Sequence, residues 1–232
     1  MNMKVILIAG LASLLSSCGL VLRSAPSLWE RVDAQTLVFS GGIDSRTDEA
    51  FLEAVTPETT KLIVNTTGGD VESALIVADY IFKYQLDLEV REVCGSSCAN
   101  YWFTAAKKKT VPRGAYVGFH GDVGSSLPYW GAVTDEVMTY TQKVIAKEAA
   151  FYKRIKLDSR IFAFSAAFAV HNQSVWAANP TELACVGVSN LQMWFSDDPN
   201  DFTAANRLWQ PSVKTSAQDS RVPRPSLCQP QN

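Results

Sequence analysis

Strand-like apolar runs alternate with helical patterns along most of this chain, and that alternation constrains the fold more than any other feature. Residues 61–65 and 86–92 have strand character, and each run leads into a short polar turn and then into apolar residues at helical spacing. The pattern continues between residues 36 and 195, with a loop predicted at 121–131, helices at 133–155 and 159–170, and a last strand at 186–195. Strands that are separated by helices pair in parallel, so the sequence predicts an α/β domain with a mostly parallel sheet and flanking helices.

Polar turns follow three of the predicted strands. They are residues 66–70 (Thr-Thr-Gly-Gly-Asp), 95–98 (Gly-Ser-Ser-Cys) and 119–121 (Phe-His-Gly). The carboxyl ends of parallel strands share one edge of a sheet, where ligands bind in such folds. Gly68 and Gly69 would let backbone amides approach a substrate oxyanion closely. The three turns are therefore expected to meet and form a site.

Ser96 and Ser97 lie where a predicted strand ends and a buried helix begins. From this segment alone, helix capping is the better interpretation. The same position can also expose a serine oxygen beside free backbone N–H groups, as nucleophilic enzymes require. A serine nucleophile needs an adjacent base, and His120 and His171 are the only histidines in the chain. His120 directly follows the predicted strand 115–119, which favours it as the base.

The first 17 residues have the features of an export signal. One lysine precedes an apolar run that is too short to cross a bilayer permanently. The run ends in Leu-Ser-Ser-Cys at residues 15–18, which resembles a bacterial lipoprotein signal and implies lipidation of Cys18 after cleavage. By analogy with the sorting rule of such lipoproteins, Gly19 in place of an aspartate after the cysteine implies the periplasmic face of the outer membrane if the source is Gram-negative. An ordinary secretory signal is the alternative.

Four cysteines remain once Cys18 is set aside, namely Cys94, Cys98, Cys185 and Cys228. Export to an oxidising compartment predicts disulfides, and three pairings are open. The close spacing of Cys94 and Cys98 favours their pairing, which leaves Cys185 for Cys228. A zinc site at Cys94 and Cys98 is a weaker alternative because the chain has no second paired-cysteine motif and only two histidines.

Composition excludes some partners and delimits the domain. The net charge is −2, and the three lysines at 107–109, interpreted as a solvated helix end, are the only basic cluster, so nucleic acid is not an expected partner. No cofactor or metal motif stands out. The predicted organisation is a signal at 1–17, a linker at 18–35, one domain at 36–195, and a polar, partly disordered tail at 196–232.

Three motifs together resemble a known family. Residues 65–71 read Asn-Thr-Thr-Gly-Gly-Asp-Val, residues 94–99 read Cys-Gly-Ser-Ser-Cys-Ala, and residues 118–120 read Gly-Phe-His. In order and spacing they resemble the Clp-type serine peptidases of the ClpP/crotonase superfamily, over roughly residues 36–191. The resemblance implies a mostly parallel sheet built from ββα units with flanking helices. Ring assembly is usual in that superfamily, so a homo-oligomer is a further expectation.

The resemblance assigns roles to individual residues. Ser97 is expected to be the nucleophile, or Ser96 if the register shifts by one, and His120 the general base. Gly69 or Gly68 and the amide of Cys98 would form the oxyanion hole. The family's third member, an aspartate, has no counterpart here, where residues 170–174 read Val-His-Asn-Gln-Ser. Asn172 or His171 is the candidate to orient the imidazole, or a dyad acts without a third residue.

The combined expectation is a lipid-anchored serine hydrolase of the cell envelope. It would act as a peptidase on a peptide or protein, without a cofactor, through an acyl-enzyme at Ser97. A non-catalytic binding or assembly protein of the same fold is the first alternative, because the acid is missing. A crotonase-type acyl-thioester enzyme is the second, although export to the envelope argues against it.

Overall fold

The structure, a computed structural model, describes residues 28–172, 175–194 and 228. Eight strands form one mixed sheet, and helices cover it, which confirms the α/β class. The strands are β1 Leu28–Arg31, β2 Thr36–Ser40, β3 Lys61–Thr66, β4 Asp87–Gly95, β5 Lys109–Val111, β6 Tyr116–Phe119, β7 Trp176–Ala177 and β8 Leu191–Met193. The helices are α1 Thr47–Ala54, α2 Val71–Tyr84, a π-helix Cys98–Phe103, α3 Val123–Ser126, a 3-10 turn Leu127–Tyr129, α4 Asp135–Ile155, α5 Arg160–Asn172 and α6 Pro180–Cys185.

The sheet is mostly parallel, as predicted. β2, β3 and β4 run parallel, and β1 and β7 join antiparallel at β2 and β6. Beyond β4 the sheet divides, because the first half of β4 pairs with β5 and its last residues pair with β6. This division places the end of β6 beside the end of β4.

The core lies between the sheet and the helices that follow β3 and β4. β3 alternates buried and half-buried residues, with Leu62 and Val64 fully buried, which is the period-2 pattern of a strand with one covered face. The π-helix is buried at every position. Trp102 from that helix donates its indole N–H to the carbonyl of Ala74 in α2, 3.0 Å away, so the π-helix and α2 pack as one layer.

The predicted linker at 18–35 is wrong in part, because β1 lies within it. Trp29 packs against Phe39, Phe51 and Trp102 with ring centroids 4.7–5.5 Å apart. Its indole N–H also donates to the carbonyl of Thr47 at 3.1 Å. The packing of Trp29 therefore holds β1, which is otherwise part of a polar segment, at the edge of the sheet.

The lysine cluster at 107–109 is also not wholly solvated. Lys109 begins β5 and is only 3% exposed, and its ammonium donates to the carbonyls of Ala106 and Ser189 at 2.6 and 3.2 Å. Burial lowers the pKa of Lys109 to about 8. The sequence pattern missed β5 because a strand of three residues has no readable periodicity.

Other predicted boundaries changed in detail. The loop predicted at 121–131 contains α3 and the 3-10 turn, and the strand predicted at 186–195 is confined to β8. The predicted helices at 133–155 and 159–170 are confirmed by α4 and α5. Cys18, the signal segment and most of the tail lie outside the described residues. No helix within the described part is both long and apolar enough to cross a membrane.

Candidate active site

The three polar turns meet at one edge of the sheet. Gly95, the last residue of β4, is in register with Gly118 of β6. The amide of Ser96 then donates to the carbonyl of Gly118 at 2.9 Å, which continues the parallel pairing one residue past the strand. The site is therefore positioned by backbone pairing between two neighbouring strands, and His120 follows two residues after Gly118.

Ser96 contacts the predicted base directly. Its Oγ lies 2.6 Å from Nε2 of His120, the distance of a strong hydrogen bond. Ser96 has a φ of +53°, in the left-handed region that non-glycine residues rarely adopt. A strained residue between a strand and a helix is the geometry of a nucleophile turn, which presents the hydroxyl outward.

The expectation that Ser97 faces His120 is corrected by this geometry. The hydroxyl of Ser97 donates instead to the carbonyl of Gly69 at 2.7 Å, and the residue is only 3% exposed. The left-handed backbone at Ser96 turns the chain, so that neighbouring side chains point to different partners. Ser97 thus joins the nucleophile turn to the glycine turn, and the alternative register with Ser96 at the base fits the structure.

The glycine turn packs directly against the serine turn. A side chain at Gly68 would bring its Cβ within 2.6 Å of the carbonyl oxygen of Gly95 and 2.7 Å of Cβ of Ser96. Both turns therefore need backbone-to-backbone contact, which only glycine allows at Gly68. This contact fixes the distance between the predicted oxyanion amides and the nucleophile.

The three predicted oxyanion amides differ in availability. The amide of Gly68 donates to Oγ1 of Thr66 at 3.0 Å, so it is engaged. The amides of Gly69 and Cys98 have no acceptor among the described residues. Cys98 opens the π-helix, where the first amides lack partners within the helix. Gly69 and Cys98 therefore remain the candidates for an oxyanion hole.

Both favoured disulfides are present. Cys94 pairs with Cys98, and their Cα atoms are 5.2 Å apart. Cys185 pairs with Cys228, at a Cα separation of 5.5 Å. The first bridge encloses Ser96 and Ser97 and ties the end of β4 to the start of the π-helix, so it stiffens the nucleophile turn. Because the two sulfurs are bonded to each other, they offer no thiolates for the alternative zinc site.

No carboxylate among the described residues hydrogen-bonds to His120. Asp122, two residues further on, accepts from the amide and the hydroxyl of Ser125 at 2.7 and 2.6 Å and caps α3. Asn172 ends α5, and its side chain lies outside the described part, as does that of His171. Their proposed role beside the imidazole therefore stays a prediction.

A buried polar cluster behind His120 was missed by sequence reasoning. Asn100 and Glu148 are 2% and 1% exposed, and the carboxylate of Glu148 accepts from the hydroxyl of Tyr101 and, at 3.1 Å, from the amide of Val123. The available signal was the position of Glu148 on the buried stripe of α4, four residues after Val144. The cluster supports the chain that follows His120.

Glu148 should make stability fall as pH rises. Burial raises the pKa of Glu148 to about 7, and the nearby Asp122 carboxylate adds to the effect. The folded state therefore holds a proton that the unfolded chain releases near pH 4.5. The stabilising contribution is complete below that pH and is lost as the pH rises through about 7, on the order of 3 kcal/mol in all.

The variant Glu148→Gln isolates this effect. Glutamine keeps an oxygen for Tyr101 and Val123 but carries no charge. Denaturant unfolding of both proteins at pH 4.5 and pH 7.5 should give similar free energies at the lower pH. At the higher pH the variant should be the more stable by about 3 kcal/mol. A difference that does not change with pH would show that Glu148 titrates as an ordinary exposed carboxylate.

Comparison of the chain with protein-family models and with curated proteins gives no match.

Proposed function

We propose that this protein is a serine hydrolase in which Ser96 is the nucleophile and His120 the general base. The observation that carries the proposal is the 2.6 Å contact between Ser96 Oγ and His120 Nε2, made from a left-handed residue at the end of a parallel strand. A hydroxyl at neutral pH attacks a carbonyl efficiently only when an adjacent base accepts its proton. This pair meets that requirement.

The chemistry would proceed in two steps. Nε2 of His120 takes the Ser96 proton while Oγ bonds to the substrate carbonyl carbon, and the developing oxyanion faces the amides of Gly69 and Cys98. The imidazolium then gives its proton to the leaving amine or alcohol, and an acyl-enzyme forms. Water, deprotonated by His120, hydrolyses that ester and restores the serine.

Other features extend the proposal to the family and the compartment. The order of the three motifs and the mostly parallel sheet are compatible with a ClpP/crotonase-like fold, in which a peptide or protein would be the substrate. Two disulfides fit an exported protein. With the lipoprotein-like segment that ends at Cys18, they support an enzyme anchored by lipid in the bacterial cell envelope.

A fluorophosphonate probe tests the proposal without knowledge of the substrate. The purified protein should react covalently at neutral pH, and His120→Gln should slow the reaction by at least about 100-fold because the base is lost. Circular dichroism of the variant confirms that it is folded. Absence of reaction in the wild-type protein, or equal rates in both proteins, would contradict the proposal.

A non-catalytic binding protein is the second candidate. It is favoured by the lack of any described carboxylate beside His120, since the acid normally fixes the tautomer of the base. This candidate predicts that the wild-type protein does not react with the probe, and that Ser96→Ala supports the same cellular phenotype as the wild type while deletion of the protein does not. Reaction at Ser96 would exclude it.

A further inference from the structure

Asn100 links the nucleophile turn to the loop that carries His120. Its backbone N–H donates to the carbonyl of Ser96 at 2.8 Å, and its side-chain Nδ2 donates to the carbonyl of Gly121 at 2.8 Å. Gly121 is the residue directly after His120. One residue therefore holds both the chain after the base and the backbone of the serine.

The position of Asn100 is otherwise suited to an apolar side chain. It lies in the buried π-helix between Ala99 and Tyr101 and is 2% exposed. Its Oδ1 is buried and has no partner among the described residues. A buried amide oxygen without a partner lowers stability, so packing alone does not explain an asparagine here.

The bond from Asn100 completes a frame around His120. On one side, two residues before the imidazole, the carbonyl of Gly118 accepts from the amide of Ser96. On the other side, one residue after it, the carbonyl of Gly121 accepts from Asn100. Both bonds come from the segment that carries the nucleophile, so they fix the base relative to the serine. No described carboxylate serves this purpose.

We propose that Asn100 is a positioning residue that holds the imidazole of His120 against Ser96 through the carbonyl of Gly121. The inference rests on the proposed serine hydrolase function, and it assigns to a buried amide part of the orienting role that an acid fulfils elsewhere. Displacing a catalytic group by about 1 Å can lower a rate by about 100-fold. Loss of this bond should therefore impair reaction at Ser96.

The test compares Asn100→Leu with Thr104→Val. Leucine has the same branching and number of heavy atoms as asparagine but no donor for Gly121, and we expect the rate of fluorophosphonate reaction to fall by about 10- to 100-fold. Thr104→Val removes a buried hydroxyl from the same helical segment. This hydroxyl donates to the carbonyls of Asn100 and Tyr101 at 2.6 and 3.2 Å and makes no hydrogen bond to the described residues of the His120 loop. The rate of this variant should stay within about twofold of the wild type.

Nitrogen NMR of the imidazole gives a readout that does not depend on catalysis. The chain has two histidines, so His120→Gln assigns the signals. In the wild type Nε2 should appear as the acceptor of a hydrogen bond, and Asn100→Leu should shift this resonance toward that of a solvated ring. Thr104→Val should leave it unchanged.

A second variant covers the case in which Asn100→Leu does not fold. Asn100→Asp keeps the shape of the side chain. When ionised, the aspartate repels the carbonyl oxygen of Gly121; when protonated, it donates a hydrogen bond to that oxygen. Its rate relative to the wild type should rise as the pH falls, because the other ionisable groups near this loop, Glu148, Asp122 and His120, are present in both proteins and cancel in the ratio. Unchanged imidazole signals in the folded Asn100 variants would overturn the inference, as would wild-type rates. Failure of the wild type to react, with the NMR shift present, would overturn only the hydrolase proposal.

Discussion

Ser96→Ala should abolish reaction with a fluorophosphonate, whereas Ser97→Ala should retain it. Ser96 Oγ is the atom in contact with His120, so its removal leaves no activated oxygen in the turn. Ser97 is oriented toward the carbonyl of Gly69 and is buried. Its loss removes one neutral hydrogen bond, worth about 1 kcal/mol, and should slow the reaction by about tenfold or less.

The pair of variants forms its own control, because the two serines are adjacent and the substitutions are identical. Thermal denaturation shows that both proteins are folded. Rates are measured from the time course of labelling of the intact protein. The opposite pattern, with reaction lost in Ser97→Ala and kept in Ser96→Ala, would restore the original assignment of Ser97 as nucleophile.

Gly68→Ala should disrupt the contact between the glycine turn and the serine turn, and with it the site. The φ of Gly68 is +94°, and a Cβ there would lie 2.6 Å from the Gly95 carbonyl and 2.8 Å from the amide nitrogen of Ser97. The left-handed backbone costs an alanine about 1–2 kcal/mol, and overpacking adds about 1–3 kcal/mol. We expect a loss of about 3 kcal/mol in unfolding free energy and a reaction at least about 100-fold slower.

Gly114→Ala is the matched control for this substitution. Gly114 has a similar φ of +87°, and a Cβ there would meet no atom within 4 Å. Its variant should therefore lose only about 1–2 kcal/mol of unfolding free energy from backbone strain and should react at the wild-type rate. Equal losses of stability and rate in the two variants would show that the two turns are not packed as described.

The fold class could be predicted because long apolar periodic segments dominate it. β3, α2 and α4 each carry a clear repeat, and α5 is a long apolar segment. The parallel pairing of the strands follows from the alternation of strand and helix. β1 and β5 could not be predicted, since each is short and mixes charged with apolar residues, unlike the equally short β6, whose residues are all buried. Trp29 and Lys109 are held there by contacts with distant parts of the chain, which local periodicity does not report.

The site was predictable in outline and not in detail. The expectation that three turns share one sheet edge needs only parallel strands, and the structure brings Gly69, Ser96 and His120 together. The choice between neighbouring serines depends on one left-handed residue, and no sequence pattern marks a serine with positive φ. Asn100 could not be identified from the sequence for another reason. One polar residue beside buried aromatic residues looks like an ordinary exception to the apolar pattern of a short helix.

The most direct test of the central claim is to locate the adduct in the wild-type protein. After reaction with a fluorophosphonate, reduction of the disulfides and tryptic digestion, residues 92–107 form one peptide that contains only two serines, Ser96 and Ser97. Fragmentation by mass spectrometry distinguishes them. A phosphonate on Ser96 is the predicted result. A phosphonate on Ser97, or a peptide that remains unmodified while the probe is in excess, would contradict the account.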